Sequence, residues 1–175
     1  MNIQVWTTEY RRTQQTAEHI EAPKLIEPAL GEICAGDHDD MTYEDIAEKF
    51  PVEFALRDAD KLCYRYPNGE SYMDVVQRIK PILQTIKEED NLLIISHQAT
   101  LRCLLTMILG YPSEDLPYLK VPLHTVIALT FLSDNVTVEY HSLPVECVDT
   151  YREKPINCEI TRCLEDACVT VPCHL

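Results

Sequence analysis

The stretch LLIISHQATLR, residues 92–102, limits the fold of this chain more than any other segment. Leu92, Leu93, Ile94 and Ile95 form an apolar run of strand length without polar alternation, the pattern of a strand covered on both faces of a sheet. Residues 99–109 then repeat at helical spacing, so His97 falls where a strand ends and a helix begins. Open α/β sheets bind their ligands at that end of their strands. Gln98 opens the helix beside His97. Arg102 lies one turn further on the same face, where its guanidinium suits an anion. A solitary histidine more commonly caps a helix or satisfies a buried carbonyl, so only its company argues for a site.

That company is a basic cluster in an acidic chain. The 175 residues carry a formal charge of -14, which argues against nucleic acid and anionic membrane surfaces as partners. Arg11, Arg12, Arg57, Lys61, Arg65, Arg78 and Arg102 nevertheless recur within the first two thirds of the chain. Each alone reads as a solvated surface charge; gathered by a fold, they would make a phosphate pocket. With 46% apolar residues the length suits one domain of adequate core, without requiring a second.

The remaining pattern alternates strands and helices, as an α/β layered domain does. A strand at residues 3–7 is followed by a helix expected over 9–20. Thr42 is placed to cap a short helix that ends at Pro51. A loop rich in charge and tyrosine is expected over residues 57–70, with Pro67-Asn68-Gly69 as a turn. Ser71 and Asp74 have capping-box spacing, and Val75, Val76, Ile79, Ile82, Leu83 and Ile86 form one apolar helical stripe that reads as core. Pro81 within it is expected to kink the helix near Lys80. Residues 125–132 and 136–141, separated by Ser133-Asp134-Asn135, read as a hairpin expected to close the sheet. Periodicity fades after residue 144. The expected division is therefore a domain over 1–144 and a cysteine-containing, exposed tail over 145–175.

Compartment and metal binding are read from the termini and the cysteines. The strand begins so close to Met1 that no room remains for a secretory leader, and no apolar run approaches the roughly 20 residues of a membrane span; a cytosolic location is expected. Cys34, Cys63 and Cys103 are scattered as ordinary small hydrophobes and are expected to be free thiols. In the tail, Cys158, Cys163, Cys168 and Cys173 recur every five residues before His174. Four thiolates can hold zinc, but this period lacks the close C-x2-C pairs of structural zinc sites and lines one face of neither helix nor strand.

Several motifs resemble a known family. VWTTEYRRTQQTAE, MTYEDIAEKFPVEFALRDADK, YRYPNGESY, ISHQATLRCLL and LPYLKVPLHTV follow, in order and spacing, the fructose-2,6-bisphosphatase half of bifunctional 6-phosphofructo-2-kinase/fructose-2,6-bisphosphatases. These are a branch of the histidine phosphatase and phosphoglycerate mutase-like superfamily. EKPINCEITR and VTVPCHL resemble the tail of the same family.

The resemblance implies a three-layer α/β/α sandwich and hydrolysis of the 2-phosphate of fructose 2,6-bisphosphate to fructose 6-phosphate and phosphate, without cofactor or metal. It implies that Arg12 grips the transferred phosphoryl group, that Glu32 protonates the departing sugar oxygen, and that His97 donates to the phosphoryl oxygens. Tyr43, Arg57, Lys61, Tyr72, Gln98 and Arg102 would hold the fructose 6-phosphate moiety. A mutase reading within the superfamily fits less well, because the charged segment around Arg57 and Lys61 follows the bisphosphatase branch.

The chain departs from the family at the nucleophile, which there lies in an Arg-His-Gly motif ending the first strand. None of His19, His38, His97, His124, His141 and His174 stands in such a motif. Without a histidine to accept the phosphoryl group, the two-step route through phosphohistidine is closed, so the expectation is a chain inactive alone and a fold lacking that strand. The kinase half is not expected either, since none of the four glycines falls in a G-x-x-x-x-G-K pattern. The alternative is a non-catalytic sugar-phosphate-binding or regulatory fragment, either dimeric or paired with complete subunits.

Overall fold

Gln4-Val5-Trp6-Thr7 forms the middle strand of a parallel sheet, because both of its edges are occupied. In the computed structural model, which describes residues 3–162, β1 (Gln4–Thr7) pairs with β2 (Lys24–Ile26) on one side and β3 (Leu92–Ile94) on the other, in the order β2-β1-β3. The chain passes from β1 to β2 through α1 (Arg11–Thr16). It returns across the sheet to β3 through α2 (Tyr43–Lys49), α3 (Pro51–Ala59) and α4 (Tyr72–Glu88). Right-handed crossovers that travel in opposite directions put their helices on opposite faces, which yields the α/β/α layering. The strand order also reverses beside β1, leaving a crevice at the carboxyl ends of β1 and β3.

Strand parity distributes the core. Trp6 packs with Leu30, Val75 and Ile79, and with Ala99, Cys103 and Leu104 of α5 (Gln98–Leu109), while Val5 and Thr7 are buried on the opposite face. The stripe on α4 is the core expected of it: Val75 and Ile79 are fully buried. α4 runs unbroken through Pro81. Both N-caps are reciprocal, Thr42 with Asp45 and Ser71 with Asp74.

Several expectations need correction. The helix expected over residues 9–20 spans only Arg11–Thr16, because its turns carry few inward apolar groups and Tyr10 supplies no side-chain cap. Pro51 does not simply end a helix. It ends α2 and opens α3 at a first-turn position, so Arg57 sits on a helix and not in a loop.

The hairpin β4 (Thr125–Phe131) and β5 (Val136–Ser142) forms in register from Thr125↔Ser142 to Phe131↔Val136 but is a separate two-stranded sheet, so it does not close the parallel one. Among the described residues β3 therefore has one neighbouring strand, and Leu92, Leu93 and Ile94 are half-buried where the sequence predicted full cover.

The tail also departs from a purely exposed segment. Residues 143–149 lie open, but Arg152 is only 8% exposed and is bound to the body. Cys34, Cys63, Cys103, Cys147 and Cys158 are free thiols. Cys163, Cys168, Cys173 and His174 lie outside the described residues. Among those described, no cysteine, histidine and carboxylate cluster could hold a metal, and no helix is long and apolar enough to cross a membrane.

Candidate active site

His97 occupies the N-cap of α5, directly after β3, with both ring nitrogens engaged. Nδ1 lies 2.9 Å from Arg12 Nη2, and since a guanidinium only donates, Nδ1 accepts. The ring proton therefore sits on Nε2 and is donated to Thr8 Oγ1 at 2.9 Å. Thr8 passes the chain of donors to Thr13 Oγ1 at 2.9 Å, and Thr13 ends it on the Tyr10 carbonyl at 2.8 Å. Burial first, then the Arg12 and Arg78 charges, push His97 down to about 4, so it is neutral near pH 7.

Glu32 reaches the same place from the loop after β2. Its Oε1 accepts from the Ile33 amide at 2.9 Å and from the Ala99 amide at 3.2 Å, which puts the carboxyl on the first turn of α5, two residues beyond His97. Burial raises its pKa against the pull of those two amides and of Arg12 and Arg102. A carboxyl so placed holds a proton more readily than an exposed one, as a general acid must.

Two devices fix the Glu32 loop. Arg78 donates to the Ala29 carbonyl, to the Gly31 carbonyl at 2.8 Å and to Glu70 at 2.9 Å. Gly36 and Gly69 let residues 34–36 lie directly on residues 67–70: Gly36 has φ +55, and a Cβ there would run into the Pro67 carbonyl. Glu70 N donates to the Cys34 carbonyl at 2.8 Å across this contact.

From this end a cleft of about 610 Å³ runs toward α3. Eight of the nine candidate side chains line it: Arg12, Glu32, Tyr43, Arg57, Lys61, Tyr72, Gln98 and Arg102. His97 does not, being tucked behind Arg12 with its ring 4.8 Å from that of Tyr10. At the far end Arg57 donates to Tyr66 Oη at 2.6 Å and Tyr43 Oη at 3.0 Å, and Arg102 to the Leu119 carbonyl at 2.8 Å and Tyr72 Oη at 3.1 Å. Lys61 is 7% exposed, and burial together with Arg57, Arg102 and Arg152 holds its pKa well below the usual lysine range.

The remaining basic residues lie elsewhere. Arg65 pairs with Asp74 on the surface, Arg78 braces the Glu32 loop, and Arg11 is exposed.

Sequence reasoning missed Thr8, Tyr66, Thr150 and Asp58, and it counted Arg78 in the phosphate cluster where the fold uses it to brace the Glu32 loop. Thr8 had a signal, a polar pair at the carboxyl end of β1. Thr150 and Asp58 had none, because their partners lie 52 and 94 residues away.

Residues 2–143 match the model of the histidine phosphatase superfamily, branch 1. The chain belongs to that superfamily. It is 51% identical over 173 residues to human 6-phosphofructo-2-kinase/fructose-2,6-bisphosphatase 1 and 50% identical over 173 residues to the corresponding bifunctional protein of Aquarana catesbeiana. Each alignment covers 99% of this chain and 37% of the relative, so the chain spans little more than a third of those proteins.

Among solved structures it resembles the alpha-ribazole phosphatase of Shigella flexneri, with TM-score 0.68, 24% identity, and 82% of this chain and 76% of that one covered. It also resembles a mycobacterial glucosyl-3-phosphoglycerate phosphatase in complex with inorganic phosphate, with TM-score 0.64, 16% identity, and 79% and 76% covered. At those identities the solved structures speak for the histidine phosphatase fold alone.

Proposed function

We propose that this chain is a fructose-2,6-bisphosphatase-type domain whose cleft binds fructose 6-phosphate, with the 6-phosphate at Arg57, Lys61 and Arg102 and the 2-position at Arg12, Glu32 and His97. One observation carries the reading. Lys61 is a buried amine beside Arg57, Arg102 and Arg152, whose charges together with burial disfavour its protonation, so an anion entering there would meet the arginines and favour the charged lysine. Tyr43, Tyr72 and Gln98 also line the cleft and offer hydroxyl and amide groups to the sugar.

In hydrolysis of the 2-phosphate, Arg12 would meet the phosphoryl oxygens and Glu32 would give its proton to the sugar oxygen as the P–O bond breaks. His97 would act from behind Arg12, its Nδ1 accepting from the guanidinium and orienting it toward the phosphoryl group. The nucleophile is the missing part: no histidine of this chain stands in an Arg-His-Gly motif. The second reading, a domain that binds sugar phosphate without turning it over, rests on that departure. Fructose 2,6-bisphosphate, fructose 6-phosphate and phosphate are the ligands in both readings, and a second copy or a complete subunit is the protein partner each allows.

Calorimetric titration with fructose 6-phosphate tests the common ground, with saturable binding expected. Phosphate release from fructose 2,6-bisphosphate separates the readings. Background release is expected of this chain alone, and robust turnover would mean that another residue takes the phosphoryl group.

A further inference from the structure

We infer that Asp58 is the positioning residue of this cleft: it sets Arg57 at the sugar-phosphate end and binds the C-terminal segment against the same wall, making residues 150–152 part of the ligand site. The inference rests on the sugar-phosphate reading above and adds to it a residue that does not itself line the cleft.

Asp58 follows Arg57 on α3, and its side chain is 1% exposed. A buried carboxylate is costly unless every lone pair is occupied, and here three guanidiniums from two distant stretches of chain occupy them. Oδ1 accepts from Arg57 Nη1 at 3.1 Å and Arg152 Nη1 at 3.2 Å, while Oδ2 accepts from Arg152 Nη2 at 2.9 Å and Arg162 Nη2 at 2.7 Å. Arg152 thus meets it as a two-pronged fork, the geometry that fixes orientation as well as distance. The rings of Tyr43 and Phe54 complete the seat, with Arg57 4.6 Å from the Tyr43 centroid and Arg162 5.0 Å from that of Phe54.

Two consequences reach the cleft. Arg57 is held by Asp58, Tyr66 and Tyr43 together, so its remaining N–H donors are aimed before any ligand arrives. With Arg152 anchored, Thr150 stands at the rim and its Oγ1 accepts from Gln98 Nε2 at 2.7 Å, joining the segment to a side chain that lines the cleft.

The test uses the full chain, D58N and R162Q, with fructose 6-phosphate as the probe, read by calorimetry and by hydrogen exchange of the 150–152 amides. D58N keeps the shape and removes the charge. It is expected to weaken binding at least tenfold, and R162Q about threefold. In the wild-type chain fructose 6-phosphate is expected to slow exchange at 150–152, and in D58N to leave it unchanged while α4 stays protected; a merely structural carboxylate would not separate the two responses.

Wild-type affinity and wild-type ligand protection in folded D58N would overturn the inference. If D58N fails to fold, R162Q decides by the same readouts. If the wild-type chain binds no fructose 6-phosphate, the sugar-phosphate reading falls. Exchange without ligand then judges Asp58: loosening at 150–152 in D58N sustains its hold on the segment, and no change removes it.

Discussion

The central strand β1 of the parallel sheet and the β4–β5 hairpin are both built from apolar, β-branched segments, yet they live in different environments, while β2 at the sheet edge is as exposed as the hairpin. In β1, Val5, Trp6 and Thr7 are all buried beneath helices, whereas no residue of the hairpin is buried and Val126, Phe131 and Tyr140 are 44%, 41% and 52% exposed. β3 lies between these extremes, apolar throughout but half-buried, with a partner on one edge only. Local pattern thus decides that a strand forms, while burial depends on what else reaches it. The candidate site starts where β1 and β3 hand over to Thr8 and His97 and extends from there toward α3.

The sharpest way to break this comparison is a matched truncation. Ile79→Ala, in the packed stripe of α4, is expected to cost about 2–5 kcal/mol in denaturant unfolding, and Ile127→Ala in the half-exposed hairpin less than about 1 kcal/mol. Equal losses would mean that the hairpin is held by more than its own ladder.

Next in size is a pH effect confined to the covered region. The folded chain keeps His97 near 4 while the unfolded chain takes a proton near 6.5, so the unfolded state binds more protons in between. Stability should fall as pH drops from 6.5 to 4, by on the order of 3 kcal/mol in total, and H97Q should flatten that slope. Glu32 works the other way, its raised pKa withdrawing stability as pH climbs above the ordinary carboxylate value. The H97Q difference isolates the histidine.

A smaller effect comes from the reciprocal caps: S71A should cost about 1 kcal/mol in thermal unfolding. Smallest of all, F131S on the hairpin should shift stability by no more than about 0.5 kcal/mol, and a larger loss would reveal cover that the exposed ring does not show.

How much of this was legible depended on the range of each interaction. The strand delivering His97, the stripe on α4, the caps at Thr42 and Ser71 and the hairpin itself all follow from neighbours within a few residues. The α2–α3 break at Pro51 was read as an end because proline stops one helix as readily as it starts the next. The family motifs indicated the nine candidate side chains, and the fold gathers eight around one cleft with His97 behind Arg12. No periodicity could reveal that Arg78 braces the Glu32 loop or that Arg152 seeks Asp58, since those pairs join residues 46 and 94 positions apart.

By itself, then, the sequence determined the alternation of strands and helices, the helix boundaries set by capping boxes and the chemical inventory of the site, because propensity, capping and periodicity act along a few turns of chain. Only the tertiary structure decided that His97 is neutral with its proton turned to Thr8, that Lys61 lies buried among arginines, and that Arg152 and Arg162 converge on Asp58. Those outcomes depend on desolvation and on charges converging from distant segments, and such energies exist only once the chain has closed on itself.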